Sequence, residues 1–304
     1  MVRTVNGGKM AISAFDILEE ATTELKYLRN SAIDIVDIKK PESLGYAVQL
    51  SKVISKLSPL IGNMIEFSVV DLLNRNDWLG HGKWVRQDPG FPDALFQSDS
   101  ILPNPGIEIK AWFPFATEIT ARFKDSAALF EKSNIDVALI AWLPENVIWG
   151  LPKVVDVLVV SGKSVAEARD SHYHNPPDYI VFEPEDTSGR TTNLQQTNTN
   201  GYKFQADKSN IEEAKRVVDG WGADAKKYSA AKRYQDRLKT LQGQFVYRMD
   251  TNYAKIDRIE HEGINDFKRA VLATEYRGKT IREWGSALSS GSNDVLEDAL
   301  RGLV

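Results

Sequence analysis

"FPDALFQSDSILPNPGIEIKAW" (91–112) is the stretch whose reading decides the fold. It holds two short apolar runs, "DALFQ" and "GIEIKAW", divided by the turn-rich "SILPNP". A third run, "KWVRQ", precedes it across "DPGFP". Short runs punctuated by Pro, Gly and Asp from Gly82 onward predict an antiparallel meander. In "GIEIKAW", Ile107 and Ile109 face one side of the strand while Glu108, Lys110 and Trp112 face the other. An acid and a lysine in so apolar a strand call for a reason, because a buried charge must be closely paired or hold a metal.

Upstream, "AFDILEEATTELKYLRN" (14–30) and "SPLIGNMIEFSVVDLLNR" (58–75) carry apolar residues at helical spacing. Downstream, "TEITARF" (117–123) reads as a strand and "KDSAALFEK" (124–132) as a helix. "DVALIAWL", "NVIWGL" and "VVDVLVV" read as further strands, separated at Pro144 and at Gly150–Pro152. "SVAEARD" (164–170) reads as a short helix and "DYIVFEP" (178–184) as the last strand. Residues 185–201 are polar and aperiodic, and beyond Ala206 the pattern is mainly helical. The expectation is an α/β protein: a core of mixed β-sheet flanked by helices, with N-terminal helices and a helical C-terminal region. The expected divisions are 1–57, 58–205 and 206–304, the last either separate or packed on the core.

With 42% hydrophobic and 26% charged residues, the composition is that of a soluble globular protein. No apolar run reaches the roughly 18 residues of a membrane span, and the N-terminus lacks an apolar stretch of secretory length. The absence of cysteine excludes disulfides and thiolate metal sites and fits the cytoplasm. The net charge of −4 conceals an uneven distribution. Residues 134–201 carry four Lys/Arg against nine Asp/Glu, a balance of −5, and residues 203–248 carry eleven against six, a balance of +5. A basic segment on an acidic chain permits nucleic-acid binding without proving it. There is no phosphate-cradling P-loop and no dinucleotide fingerprint, which speaks against an ATP-driven complex or a dehydrogenase.

The pattern acid–x–Lys occurs six times, beginning at Glu24, Asp37, Glu108, Glu213, Asp224 and Asp266. Only Glu108 combines an apolar alternating strand with a nearby upstream Pro-Asp, at Asp93. Asp37, in "AIDIVDIKK", is strand-like but has no comparable upstream acid. Two acids converging from adjacent strands make an oxygen-only site for a hard cation such as Mg²⁺. Such an ion polarises a phosphoryl oxygen and lowers the pKa of water, and Lys110 reaches the same space to orient water or offset charge. The bland alternative is an exposed Glu108–Lys110 pair on an edge strand, with Asp93 closing a turn.

In this order of a helix bearing Glu66, strands, "PD" (92–93) and "EIK" (108–110), the chain resembles the PD-(D/E)xK nuclease superfamily. It looks most like the type II restriction endonucleases, and more faintly like mismatch-repair nicking enzymes of the MutH type. The resemblance spans roughly residues 60–145. It implies a restriction-endonuclease-like core and Mg²⁺-dependent, sequence-specific cleavage of double-stranded DNA. Asp93 and Glu108 become metal ligands, with Ile109 between strand acid and lysine in the same set. Lys110 becomes the catalytic lysine and Glu66 a helix acid near the metal. Cutting both strands of a palindrome favours a homodimer, and a cognate DNA methyltransferase sharing the recognition site is the expected partner.

For DNA contacts, the loop 189–204 offers Arg190, Asn193, Gln195, Gln196 and Asn198, side chains able to read base edges, or else a polar linker. "DAKKYSAAKRYQDRLK" (224–239) aligns Lys226, Arg233 and Arg237 on one side of an expected helix, for phosphates or simply for solvent. Arg122 and Lys124 follow the metal motif and would meet the backbone of a bound strand. His172 and His174, with Asp178 nearby, form an HxH pair that suits a transition metal only if a third ligand joins them. His81 sits in a loop with no evident partner.

Overall fold

The computed structural model of the chain describes residues 12–34, 36–88, 90–115, 130, 134–174, 180–184, 201–245, 249–252 and 259–304. They fall into two compact units, Met1–Ile119, Ala128–Val165 and Glu262–Val304 in the first, Thr120–Ala127 and Ala166–His261 in the second. These units cut the chain differently from the expected regions 1–57, 58–205 and 206–304. The terminal helices return to the first unit, and the basic segment belongs to the second.

In the first unit, α1 (Ala14–Leu25) opens with a capping box. Ser13 Oγ accepts from the Asp16 N–H at 3.3 Å and Asp16 Oδ2 accepts from the Ser13 N–H at 2.8 Å. It buries Ile17, Leu18, Ala21 and Leu25 and gives way to a 3₁₀ turn at Lys26–Leu28, short of the expected end at residue 30. Helix α2 (Leu44–Val53) lies within the expected N-terminal helical region 1–57, in a stretch for which the sequence reading delimited no individual helix. Helix α3 (Ser58–Leu73) carries Pro59 in its first turn and buries Ile61, Ile65, Val69, Leu72 and Leu73. The helical run Leu44–Leu73 is long and apolar enough to cross a membrane by length and composition alone. The expectation that no run approaches that length is corrected to this extent, although a core helix meets the same measure.

Five strands form one mixed sheet in the order β1 (Lys83–Arg86), β2 (Ala94–Gln97), β3 (Gly106–Trp112), β4 (Ile135–Pro144), β5 (Pro152–Ser161). The first three pair antiparallel, as the meander predicts; β4 is parallel to β3, and β5 is antiparallel to β4. The architecture is thus α/β, a mixed sheet flanked by helices. Residues Val137–Leu143 of β4 are fully buried, as befits a strand covered on both faces. The expected strand "NVIWGL" is instead the turn from β4 to β5, closed by Asn146 N–H donating to the Trp149 carbonyl at 2.9 Å. Gly150 there has φ 93°, a conformation that a side chain disfavours.

The C-terminal elements of this unit are α7 (Glu262–Ala273), a two-residue hairpin (β9, Glu275–Tyr276; β10, Lys279–Thr280), α8 (Ile281–Leu288) and α9 (Asn293–Leu300). Trp112 packs on Phe267 of α7 with centroids 6.0 Å apart, while Ala111 faces Gly62 of α3. Successive residues of a strand point to opposite faces, so α3 and α7 cover the two sides of β3. Edge strand β1 is held by Asn74, whose amide donates to the Trp84 carbonyl at 2.8 Å and accepts from its N–H at 2.9 Å. Trp78, Trp84 and Phe96 then cluster with centroids 5.4 to 5.9 Å apart.

Asp136 opens β4 partly buried, and burial alone pushes its carboxyl up to about 6 from 3.8. The folded protein binds this proton more tightly than the unfolded chain, so stability falls as pH rises from about 4 to about 6 and is level above. Asp136→Asn is therefore expected to raise stability at pH 7.5 by about 2 kcal/mol and to flatten that decline. Urea midpoints at several pH values check it; a variant less stable than the parent at pH 7.5 refutes it.

Helix α4 (Gly162–His174) leads from the first unit into the second, which contains β6 (Ile180–Pro184), β7 (Gly201–Ala206), α5 (Lys208–Asp219), α6 (Lys232–Gln244) and β8 (Met249–Asn252). The strand expected at 178–184 is present as β6, but it is not the last: it pairs parallel with β7, and β7 antiparallel with β8. Both later strands are short and lie beside polar sequence, so alternation alone does not reveal them. The core here joins Ile180 and Phe204 of the strands to Ala214, Val218, Tyr234, Leu238 and Leu241 of the helices.

Candidate metal and active site

The ladder between β2 and β3 runs through Leu95↔Gly106 and Ala94↔Ile107 and ends there. Pro92, the next residue but one, has no N–H to donate, and its bond to Phe91 is cis. Side chains take over where the ladder stops. Asp93 Oδ2 accepts from the Ile109 N–H at 2.6 Å, and Asp93 N–H donates to Glu108 Oε2 at 3.2 Å. The Asp93 carbonyl accepts from the Gln87 N–H at 2.8 Å, which ties the fork to the end of β1. The two acids meet because the strands part.

Lys110 closes the group. Its Nζ donates to Glu108 Oε1 at 2.6 Å and to the Ile109 carbonyl at 3.1 Å, and lies 3.7 Å from Asp93 Oδ2. Glu108 is buried, with 6% of its surface exposed, whereas the Asp93 and Lys110 side chains keep 18% and 22%. The cluster therefore opens to solvent on the aspartate and lysine side. Burial holds the Glu108 carboxyl above its ordinary range; the Lys110 ammonium pulls it down and Asp93 pushes it up.

Glu66, on α3, is held by Arg86 of β1, whose Nε and Nη2 both donate to Glu66 Oε2 at 3.0 and 2.8 Å. Burial raises the Glu66 carboxyl against that guanidinium, with Asp93 adding to the rise and Lys110 opposing it. The helix acid thus shares an electrostatic environment with the fork. Arg86 also donates to Asp88 at 2.8 Å and to Asn63 at 3.3 Å, and stands 4.4 Å from the Phe67 ring centroid. Sequence reading missed Arg86: a lone arginine in "KWVRQ" shows nothing of the helix it will meet.

Among the described residues there is no group of three or more His, Asp or Glu set to hold a metal. What the fork offers is two carboxylates and one main-chain carbonyl, all hard oxygens that suit Mg²⁺, an ion that commonly keeps several waters. The Lys110 ammonium, bonded to Glu108 and the Ile109 carbonyl and paired with Asp93, shows that these oxygens favour a cation. The residues fit the ion. His172 and His174 lie in the last turn of α4, their side chains outside the described residues along with Asp178, and His81 ends the 3₁₀ turn Trp78–Gly80.

The expected DNA contacts divide. Arg122, Lys124, Arg190, Asn193, Gln195, Gln196 and Asn198 lie outside the described residues. The alignment of Lys226 with Arg233 and Arg237 is corrected, because α6 begins only at Lys232. Tertiary bonds hold the preceding segment out of the helix: the Lys226 carbonyl accepts from the Ile180 N–H at 3.4 Å, and the Ala225 carbonyl from the Tyr234 hydroxyl at 3.1 Å. Arg233 and Arg237 do share a face of α6. With Trp221, Lys232 and Val217 they line an open cavity of about 490 Å³. Arg237 stands 5.8 Å from the Trp221 ring centroid, Lys232 pairs with Asp236 at 2.7 Å, and Arg233 is exposed without an ion pair among the described residues.

Comparison with protein-family models, with curated proteins and with solved structures finds no match to this chain.

Proposed function

We propose that the chain is a PD-(D/E)xK nuclease with a restriction-endonuclease-like core, a type II enzyme that hydrolyses both strands of DNA at a specific site with Mg²⁺. One observation carries this reading: Asp93, Glu108 and Lys110 converge at the fork of β2 and β3. A mixed sheet flanked by helices and the nearby acid Glu66 agree with it.

Asp93, Glu108 and the Ile109 carbonyl would hold the ion. When bound, Mg²⁺ supplies Lewis-acid polarisation of a phosphoryl oxygen and a lowered pKa for water. Lys110, on the solvent side, orients the attacking water and offsets charge gathering on the phosphate. The apolar residues around Glu108 keep competing solvent away and strengthen each of these interactions. Arg233 and Arg237, side by side on α6, suit phosphate contacts in their own right, and a homodimer matches the two-fold symmetry of a palindromic site.

Incubation of the purified chain with unmethylated phage DNA and Mg²⁺ is expected to yield discrete fragments, none of them in EDTA. Supercoiled plasmid should become linear; open circles as the end product would favour a nicking enzyme. Tight DNA binding with no cleavage in Mg²⁺ or Mn²⁺ would refute the enzymatic reading.

A further inference from the structure

The oxygens that suit a divalent ion surround the Lys110 ammonium, which donates to Glu108 Oε1 at 2.6 Å and to the Ile109 carbonyl at 3.1 Å and lies 3.7 Å from Asp93 Oδ2. We propose that Lys110 is the resident counter-ion of this site, holding the two carboxylates together while no divalent ion is bound and leaving them when one binds. The inference rests on reading these oxygens as a divalent-cation site.

Two carboxylates, one of them buried, cannot both stay ionised in so small a space without a cation. A Mg²⁺ ion needs oxygens at about 2.0–2.1 Å in near-octahedral array, which leaves no room for an ammonium on the same lone pairs. Lys110 has somewhere to go, because its side chain is partly exposed and its four-carbon stem is flexible. Two consequences follow. The ammonium competes with the metal and weakens its apparent affinity. The same ammonium also becomes free for an incoming phosphate only once the metal is seated, so metal and phosphate bind with positive coupling. The other charged groups acting on the cluster, Glu66 and its partner Arg86, are already matched to each other and cannot replace the lysine as counter-ion.

The test is a Mn²⁺ titration of the full chain without DNA, followed by calorimetry, comparing the parent with Lys110→Met and Lys110→Gln. Removing one charge-assisted hydrogen bond from the competing state is expected to tighten Mn²⁺ binding about tenfold or more. Both variants should melt below the parent without metal and gain more than the parent when Mn²⁺ is added. Lys110→Arg keeps the competing charge and should bind no more tightly than the parent. In the unaltered chain, lysine side-chain NMR should show the Lys110 signal moving to a solvent-like position as Mg²⁺ saturates, which decides the matter even if the variants do not fold. Equal or weaker Mn²⁺ binding by folded Met and Gln variants, or an unmoved Lys110 signal at saturating Mg²⁺, overturns the proposal and leaves the metal site standing. Failure of the parent and all variants to take up either ion overturns both.

Discussion

Asp93→Asn is expected to lower Mg²⁺-dependent DNA cleavage by on the order of a thousandfold while leaving the fold in place. The amide oxygen can still accept from the Ile109 N–H, so the bond that ties β2 to β3 at the fork survives. What disappears is charge: the oxygen set drops from two carboxylates to one, and the ion loses a strong ligand. The same change relieves repulsion on Glu108 and Glu66, both raised by the Asp93 charge, so stability without metal should be unchanged or slightly higher. Initial rates on supercoiled plasmid, with thermal melts of both proteins, provide the measurement. A well-folded variant that cleaves within tenfold of the parent would remove Asp93 from the site.

Gly106→Ala is expected to cost about 3 kcal/mol, which for a domain of this size is roughly 6–12 °C in melting temperature, and to abolish cleavage as well. A Cβ at Gly106 would lie 2.2 Å from Pro92 Cγ and 3.2 Å from the Ala94 carbonyl. Neither neighbour can yield as the end of a long side chain can: one is a proline ring and the other is backbone. The route to relief is displacement of the Pro92–Asp93 segment, which would carry the Asp93 carboxylate off the Ile109 N–H and away from Glu108. Close backbone approach, rather than a turn, explains the glycine here. A melting temperature within about 2 °C of the parent and full activity would show that the fork has slack the contacts do not suggest.

How far the fold was legible depends on how local its causes are. The meander β1–β2–β3 and helix α3 were readable because alternation, helical period, Pro and Gly are properties of adjacent residues. "NVIWGL" misled because an apolar run can serve a tight turn whose residues are buried by neighbouring elements, as Val147 and Ile148 are. The continuous helix over 224–239 misled for the opposite reason. Its first part has helical composition, yet the Ala225 carbonyl is taken by the Tyr234 hydroxyl of α6 and the Lys226 carbonyl by the N–H of Ile180, far along the chain. Short, polar β8 left no pattern to read.

Sequence by itself determined which residue types could make the candidate site: a Pro-Asp before one strand, and an acid and a lysine two apart on the next, in apolar surroundings that single out Glu108 among six similar patterns. Only the tertiary structure decided that the strands part just beyond Ala94↔Ile107, so that Asp93 can replace a ladder partner and reach Ile109 and Glu108. It alone brought Arg86 to Glu66, set the ammonium of Lys110 on Glu108 and the Ile109 carbonyl beside Asp93, and returned the C-terminal helices to the sheet through Trp112 and Phe267. The physical reason is one of range. Periodicity and turn chemistry act over a few residues, whereas charge pairing, desolvation and close packing depend on groups that only the folded chain makes neighbours.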